Sequence, residues 1–67
     1  MKILLNNRET HYSDTTLSIA DIITKENFSY KRLVTRLNNK VVRDEEQKTT
    51  YVKNGDRLEI IHLMAGG

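Results

Sequence analysis

Leu17-Ser18-Ile19-Ala20-Asp21-Ile22-Ile23 is the stretch on which the reading of the fold turns. Ser18 can accept a hydrogen bond from the amide three residues on. Asp21, at that position, can reach back while placing negative charge at the positive end of the helix dipole, a capping box with Asp in place of Glu. Leu17 before the cap and Ile22 after it are spaced for a hydrophobic staple. Ile19, Ile22 and Ile23 then form one apolar stripe, which in a chain of 67 residues must be buried against a sheet. The spacing predicts a helix that fades between Lys25 and Asn27, with Phe28 covering the end of the core.

Working outward, Met1-Lys2-Ile3-Leu4-Leu5 reads as a strand with Met1, Ile3 and Leu5 on one face. Asn6-Asn7 turns it back, because asparagine tolerates the left-handed conformation of tight hairpins, and Glu9-Thr10-His11-Tyr12 returns antiparallel. Ser13 to Thr16 is read as a loop. Beyond the helix, Leu33 to Leu37 is a strand, Asn38-Asn39 a second tight turn and Lys40-Val41-Val42 a short strand. Asp44 to Lys48 is polar throughout and reads as one helical turn on the surface. Tyr51 and Val52 are expected in the core, Asn54-Gly55-Asp56 is the strongest turn signal, and Arg57 to Leu63 is the last strand. A hairpin, a helix and further strands specify an α+β fold, a small mixed sheet with one helix across it. That is the β-grasp or ubiquitin-like arrangement, in which the final strand lies centrally beside the first.

Composition narrows the function. A single domain of this size has a marginal core and no room for a deep catalytic cleft, which argues against a self-sufficient enzyme. With no cysteine there is no disulfide, no thiolate metal site and no side chain to hold a persulfide. The two histidines, His11 and His62, are too far apart in sequence to suggest a metal site, and His62 is read as a surface or partly packed residue without a catalytic role. The net charge of +2 comes from 11 basic and 9 acidic side chains that are largely interspersed, so no nucleic-acid face is expected. Lys31, Arg32, Arg36, Lys40 and Arg43 form the nearest thing to one, and would suit an acidic partner. Tyr12, Tyr30 and Tyr51 are not spaced as a stacking platform, and Tyr51 is assigned to the core. Met1 leads into an apolar run too short for a signal peptide, and no stretch approaches membrane-spanning length, so a cytoplasmic protein is expected.

The last five residues, Leu63-Met64-Ala65-Gly66-Gly67, shrink to nothing after the strand. The reading divides the chain into a folded body, residues 1–63, and a tail, residues 64–67. Glycines lacking Cβ let a backbone slide through a channel too narrow for side chains. Extended residues span about 3.3 Å each, so such a tail could carry the α-carboxylate of Gly67 on the order of 15 Å from the sheet, into another protein's active site. A frayed end is the bland alternative.

Four segments together resemble the ThiS-type sulfur carriers of thiamin biosynthesis: Met1 to Asn6, Ser18 to Ile23, Leu37 to Arg43, and Asn54 to Ile61 followed by Ala65-Gly66-Gly67. The resemblance covers essentially the whole chain. Asn7 and Asn39 stand where that family often has a turn glycine, Arg43 where it often has proline, and Gln47 where it often has tryptophan.

What the resemblance implies is a carrier that is not itself a catalyst. A carboxylate repels nucleophiles and oxide is a poor leaving group, so a ThiF-type adenylating enzyme would convert Gly67 to an acyl-adenylate with ATP and magnesium. The chain itself would bind no cofactor or metal. Sulfur from a donor such as a cysteine desulfurase would displace AMP, and the resulting thiocarboxylate would serve a thiazole synthase. Gly67 would then carry the sulfur, Gly66 and Ala65 would thread the tail, and Met64, Leu63 and Ile61 would dock partners around its exit. The alternative for Ile61 and Leu63 is that they finish the core. Three other functions stay open on the sequence: the small subunit of molybdopterin synthase, a ubiquitin-like modifier, and a small basic RNA-binding or adaptor domain.

Overall fold

In the computed structural model, which describes residues 1–28 and 33–62, the capping sequence builds the helix it predicts, α1 (Ile19–Lys25). The Asp21 amide donates to Ser18 Oγ at 3.0 Å and the Ser18 amide to Asp21 Oδ2 at 3.3 Å. The two preceding helix amides are met from a distant loop, Ile19 donating to the Thr50 carbonyl and Ala20 to that of Gln47, both at 3.0 Å. The start of a helix leaves such donors without internal partners, so the loop finishes what the box begins. At the other end Asn27 takes φ +58, its amide donates to Thr24 O at 3.2 Å and the Phe28 amide to Ile23 O at 3.1 Å. This is a Schellman ending, with asparagine in the left-handed position that glycine usually fills. It folds Phe28 back against the core.

Five strands form the main sheet: β1 (Lys2–Leu5), β2 (Arg8–His11), β4 (Leu33–Leu37), β5 (Lys40–Val42) and β7 (Arg57–His62), in the order β2-β1-β7-β4-β5. β1 and β7 run parallel and the other pairs antiparallel. One helix across such a sheet, with the last strand central beside the first, is the β-grasp architecture. The hairpins turn through Asn6-Asn7 (φ +51 and +65) and Asn38-Asn39 (φ +50 and +73), two-residue loops whose positive φ matches the twist of the flanking strands. Ile3, Leu5, Leu33, Leu58 and Ile60 point from the sheet into the core, where Leu17, Ile19, Ile22, Ile23 and Val52 meet them. Thr35 is the polar exception on that face, fully buried with its hydroxyl donating to the Val42 carbonyl at 3.0 Å.

Two expectations are corrected. Thr16 lies not in a loop but in β3 (Thr16–Ser18), which pairs antiparallel with β6 (Tyr51–Lys53) as a small second sheet. Three-residue strands carry too little alternation to be recognised without their partner. Tyr51 is not core: it is 56% exposed, while Val52 is fully buried. Neighbours in a strand point to opposite faces, so only one of the two could be inside. Asp44–Glu46 forms the expected single turn, of 3₁₀ type, with all its residues exposed. Tyr30, Lys31 and Arg32 lie outside the described residues.

The Tyr12 hydroxyl donates to Glu26 Oε2 at 2.7 Å, tying the end of the first hairpin to the helix C-terminus. Burial first, and then the Glu26 carboxylate, push its ionisation above the ordinary tyrosine value of 10.0. The folded form therefore holds the proton longer than the unfolded chain, so this contribution is complete below about pH 10 and is lost as pH rises. Urea midpoints measured across that range should fall more steeply for the native chain than for Tyr12→Phe. Ser18→Ala removes the cap and should lower unfolding free energy by about 1 kcal/mol, or about 4–8 °C in melting temperature, as read by thermal denaturation.

Candidate functional site

The two faces of β7 separate sharply. Leu58 and Ile60 are buried under α1 at 0% and 3% exposure, whereas Arg57, Glu59 and Ile61 alternate onto the opposite face. That opposite face is the one the helix leaves open. Ile61 is 43% exposed at the end of the strand from which the tail residues follow in sequence, and so does not finish the core.

Register identifies its neighbours. Val34 on β4 lies directly across from Ile61, and Arg36 across from Glu59. On the far side of Arg36 stands Val41 of β5, 66% exposed, and on β1 Leu4, 38% exposed, pairs with Arg57. Leu4, Val34, Val41 and Ile61 thus share one face with a set of charges. The central charges neutralise each other: Arg36 Nη2 and Nε reach Glu59 Oε1 at 2.7 and 3.1 Å. Toward β2, Lys2 Nζ sits 3.3 Å from Glu9, whose carboxyl is held below its usual range by the Lys2 hydrogen bond first and by charge attraction second. The arrangement is an amphipathic surface of apolar side chains separated by internally paired ions, suited to docking rather than to bond-making.

From sequence, Ile61 is open between this surface and the core, and Leu4, Val34 and Val41 are not expected on it. The signal was present for Val34 and Leu4, since Leu33 and Thr35 on one side and Ile3 and Leu5 on the other already define the buried face by alternation. Of the basic set, Arg36 is committed to Glu59, Lys40 and Arg43 are exposed, and Lys31 and Arg32 lie outside the described residues. The other expected site residues, Leu63, Met64, Ala65, Gly66 and Gly67, lie outside them as well. His62 is exposed. Among the described residues no three of His, Cys, Asp and Glu gather as a metal ion would need, and no helix is long and apolar enough to cross a membrane.

The face assignment has a direct test in the two adjacent isoleucines. Ile60→Ala should lower unfolding free energy by about 2–5 kcal/mol, while Ile61→Ala should change it by no more than about 0.5 kcal/mol, both read from urea titrations.

Comparisons with known proteins meet this geometry. A crystal structure of a thiamine biosynthesis protein (ThiS) from Geobacter metallireducens superposes with a TM-score of 0.88 at 23% identity, covering the whole of both chains. A solution structure of a thiamine biosynthesis protein from the same organism gives 0.83 at 25% identity, over all of this chain and 88% of that one. The uncharacterized protein ycf40 of Trieres chinensis is 24% identical over 66 residues, 98% of this chain and 90% of the relative. The model of the ThiS family matches residues 2–67, nearly the full length, and the chain therefore belongs to the ThiS family.

Proposed function

We propose that the protein is a sulfur carrier for thiazole formation in thiamin biosynthesis, with the α-carboxylate of Gly67 as the group that carries sulfur. The observation that bears most weight is the family match, which runs through residue 67 and so includes Gly66-Gly67. Supporting it are the thiamine biosynthesis proteins that share the fold, and the position of β7, a doubly paired central strand that leads in sequence straight to those glycines.

The chemistry follows from the weakness of a carboxylate as an electrophile. A ThiF-type adenylating partner, supplying ATP and magnesium, joins a Gly67 oxygen to the α-phosphorus and releases pyrophosphate. The terminal sulfur of a persulfide on a donor such as a cysteine desulfurase then attacks the acyl carbon and expels AMP; a thiol cleaves the acyl disulfide so formed, ending as a disulfide with the donor and freeing the thiocarboxylate for a thiazole synthase. In this scheme the chain is a co-substrate. Ala65 and Gly66 supply a backbone thin enough to thread, and Leu63, Met64 and Ile61 meet the partner around the mouth of its channel, Met64 being able to repack against more than one surface. Cytoplasmic ATP and thiols make that compartment the place of action.

Intact mass of the protein isolated from its own cells provides the test. A fraction heavier by one oxygen-to-sulfur exchange, localised to the last peptide, is expected; a species joined through Gly67 to a second protein would instead identify a modifier. Appending one residue after Gly67, or replacing Gly66→Phe, should leave the melting curve unchanged and abolish ATP–pyrophosphate exchange by the adenylating partner.

A further inference from the structure

Beside β7, strand β1 runs out early. The parallel ladder pairs Leu4 with Arg57 and Leu5 with Leu58, and the Asn6 amide donates to the Leu58 carbonyl at 2.9 Å. At Asn6 the backbone swings to φ +51 and leaves for β2. Continued pairing would next require a donor and an acceptor opposite Ile60, and the departing backbone no longer offers them. The Asn6 side chain does: its Oδ1 accepts from the Ile60 amide at 2.8 Å and its Nδ2 donates to the Ile60 carbonyl at 3.2 Å. A primary amide has the same donor and acceptor as a peptide group, so one side chain extends the ladder by a step. On the opposite edge β4 pairs with β7 as far as Leu33 against His62.

We infer that Asn6 is a positioning residue for the tail, the clamp that sets where β7 stops being held on its β1 side. The inference rests on the proposed role of Gly67 and adds to it a determinant lying about sixty residues away in sequence. Without the clamp, the Ile60 amide and carbonyl would lose their partner and β7 past Leu58 would be held only by its pairing with β4, so the strand end that leads in sequence to the glycines would fray more readily at Ile60. Ordering that residue on entering a partner's channel opposes binding, before chemistry begins. The expected effect of losing the clamp is therefore on the KM for the carrier and not on kcat.

Asn6→Gly separates the clamp from the turn, because glycine accepts positive φ while lacking both side-chain bonds. Asn6→Asp keeps left-handed tolerance and the acceptor for the Ile60 amide but loses the donor to its carbonyl. Two measurements are made on the native chain and both variants, at a temperature where all are folded. Amide hydrogen exchange by NMR should show Ile60 and Ile61 opening about tenfold faster in Asn6→Gly while Ile3 keeps its protection, with Asn6→Asp between. ATP–pyrophosphate exchange with the adenylating partner should show the KM for Asn6→Gly raised about tenfold, the equivalent of ordering one backbone residue, at unchanged kcat, with part of the loss recovered in Asn6→Asp. Unchanged exchange at Ile60, or acceleration shared equally by Ile3, overturns the clamp. Local acceleration with an unchanged KM overturns its role in positioning the tail. If the native chain itself supports no pyrophosphate exchange, the reading of Gly67 fails, and so does positioning for activation, while the amide data still decide whether Asn6 holds the strand.

Discussion

Double pairing of β7 is the constraint from which the rest of the structure follows. The strand lies between β1, which runs parallel to it, and β4, which runs antiparallel. A central strand has both backbone edges satisfied, and here its inward side chains, Leu58 and Ile60, also lie under the helix stripe of Ile19, Ile22 and Ile23. Such an element is the last part of a small domain to open, because its release exposes backbone and apolar surface together. The proposed role of Gly67 would gain from a chain end that follows such a strand.

Asparagine recurs wherever the backbone departs from regular structure. Asn6, Asn7, Asn27, Asn38 and Asn39 all take positive φ, a conformation that costs most residues roughly 1–2 kcal/mol and asparagine less. Two of them also use their side chains on β7. Asn38 binds Arg57 at the start of the strand, its side-chain Oδ1 accepting from the Arg57 amide at 2.9 Å while its backbone N–H donates to the Arg57 carbonyl at 2.8 Å. Asn6 does the corresponding work at Ile60. Glycine would serve the turns equally well but could not make these side-chain bonds.

One helix covers one face of the sheet and leaves the other face open, with Leu4, Val41 and Ile61 exposed on it. Its apolar members are spread over four strands and divided by the Arg36–Glu59 pair, whose partial burial fixes the two charges against each other. Interspersed apolar and paired ionic groups limit self-association while leaving area for a complementary partner.

Much of this was legible in local sequence. Ser18 and Asp21 announce the helix start and the Asn-Asn pairs announce the hairpins, because caps and turns depend on residues close together along the chain, while the family resemblance rests on four segments taken together. The short strands β3 and β6 were not legible, and neither was the exposure of Tyr51, because each is defined by a partner more than thirty residues away. Nor could the sequence assemble Leu4, Val34, Val41 and Ile61, which come together only through strand register. The clamp of Asn6 on Ile60 belongs to the same category: its turn conformation follows from asparagine's own chemistry, but which backbone its amide would meet was settled by the parallel pairing of the first strand with the last.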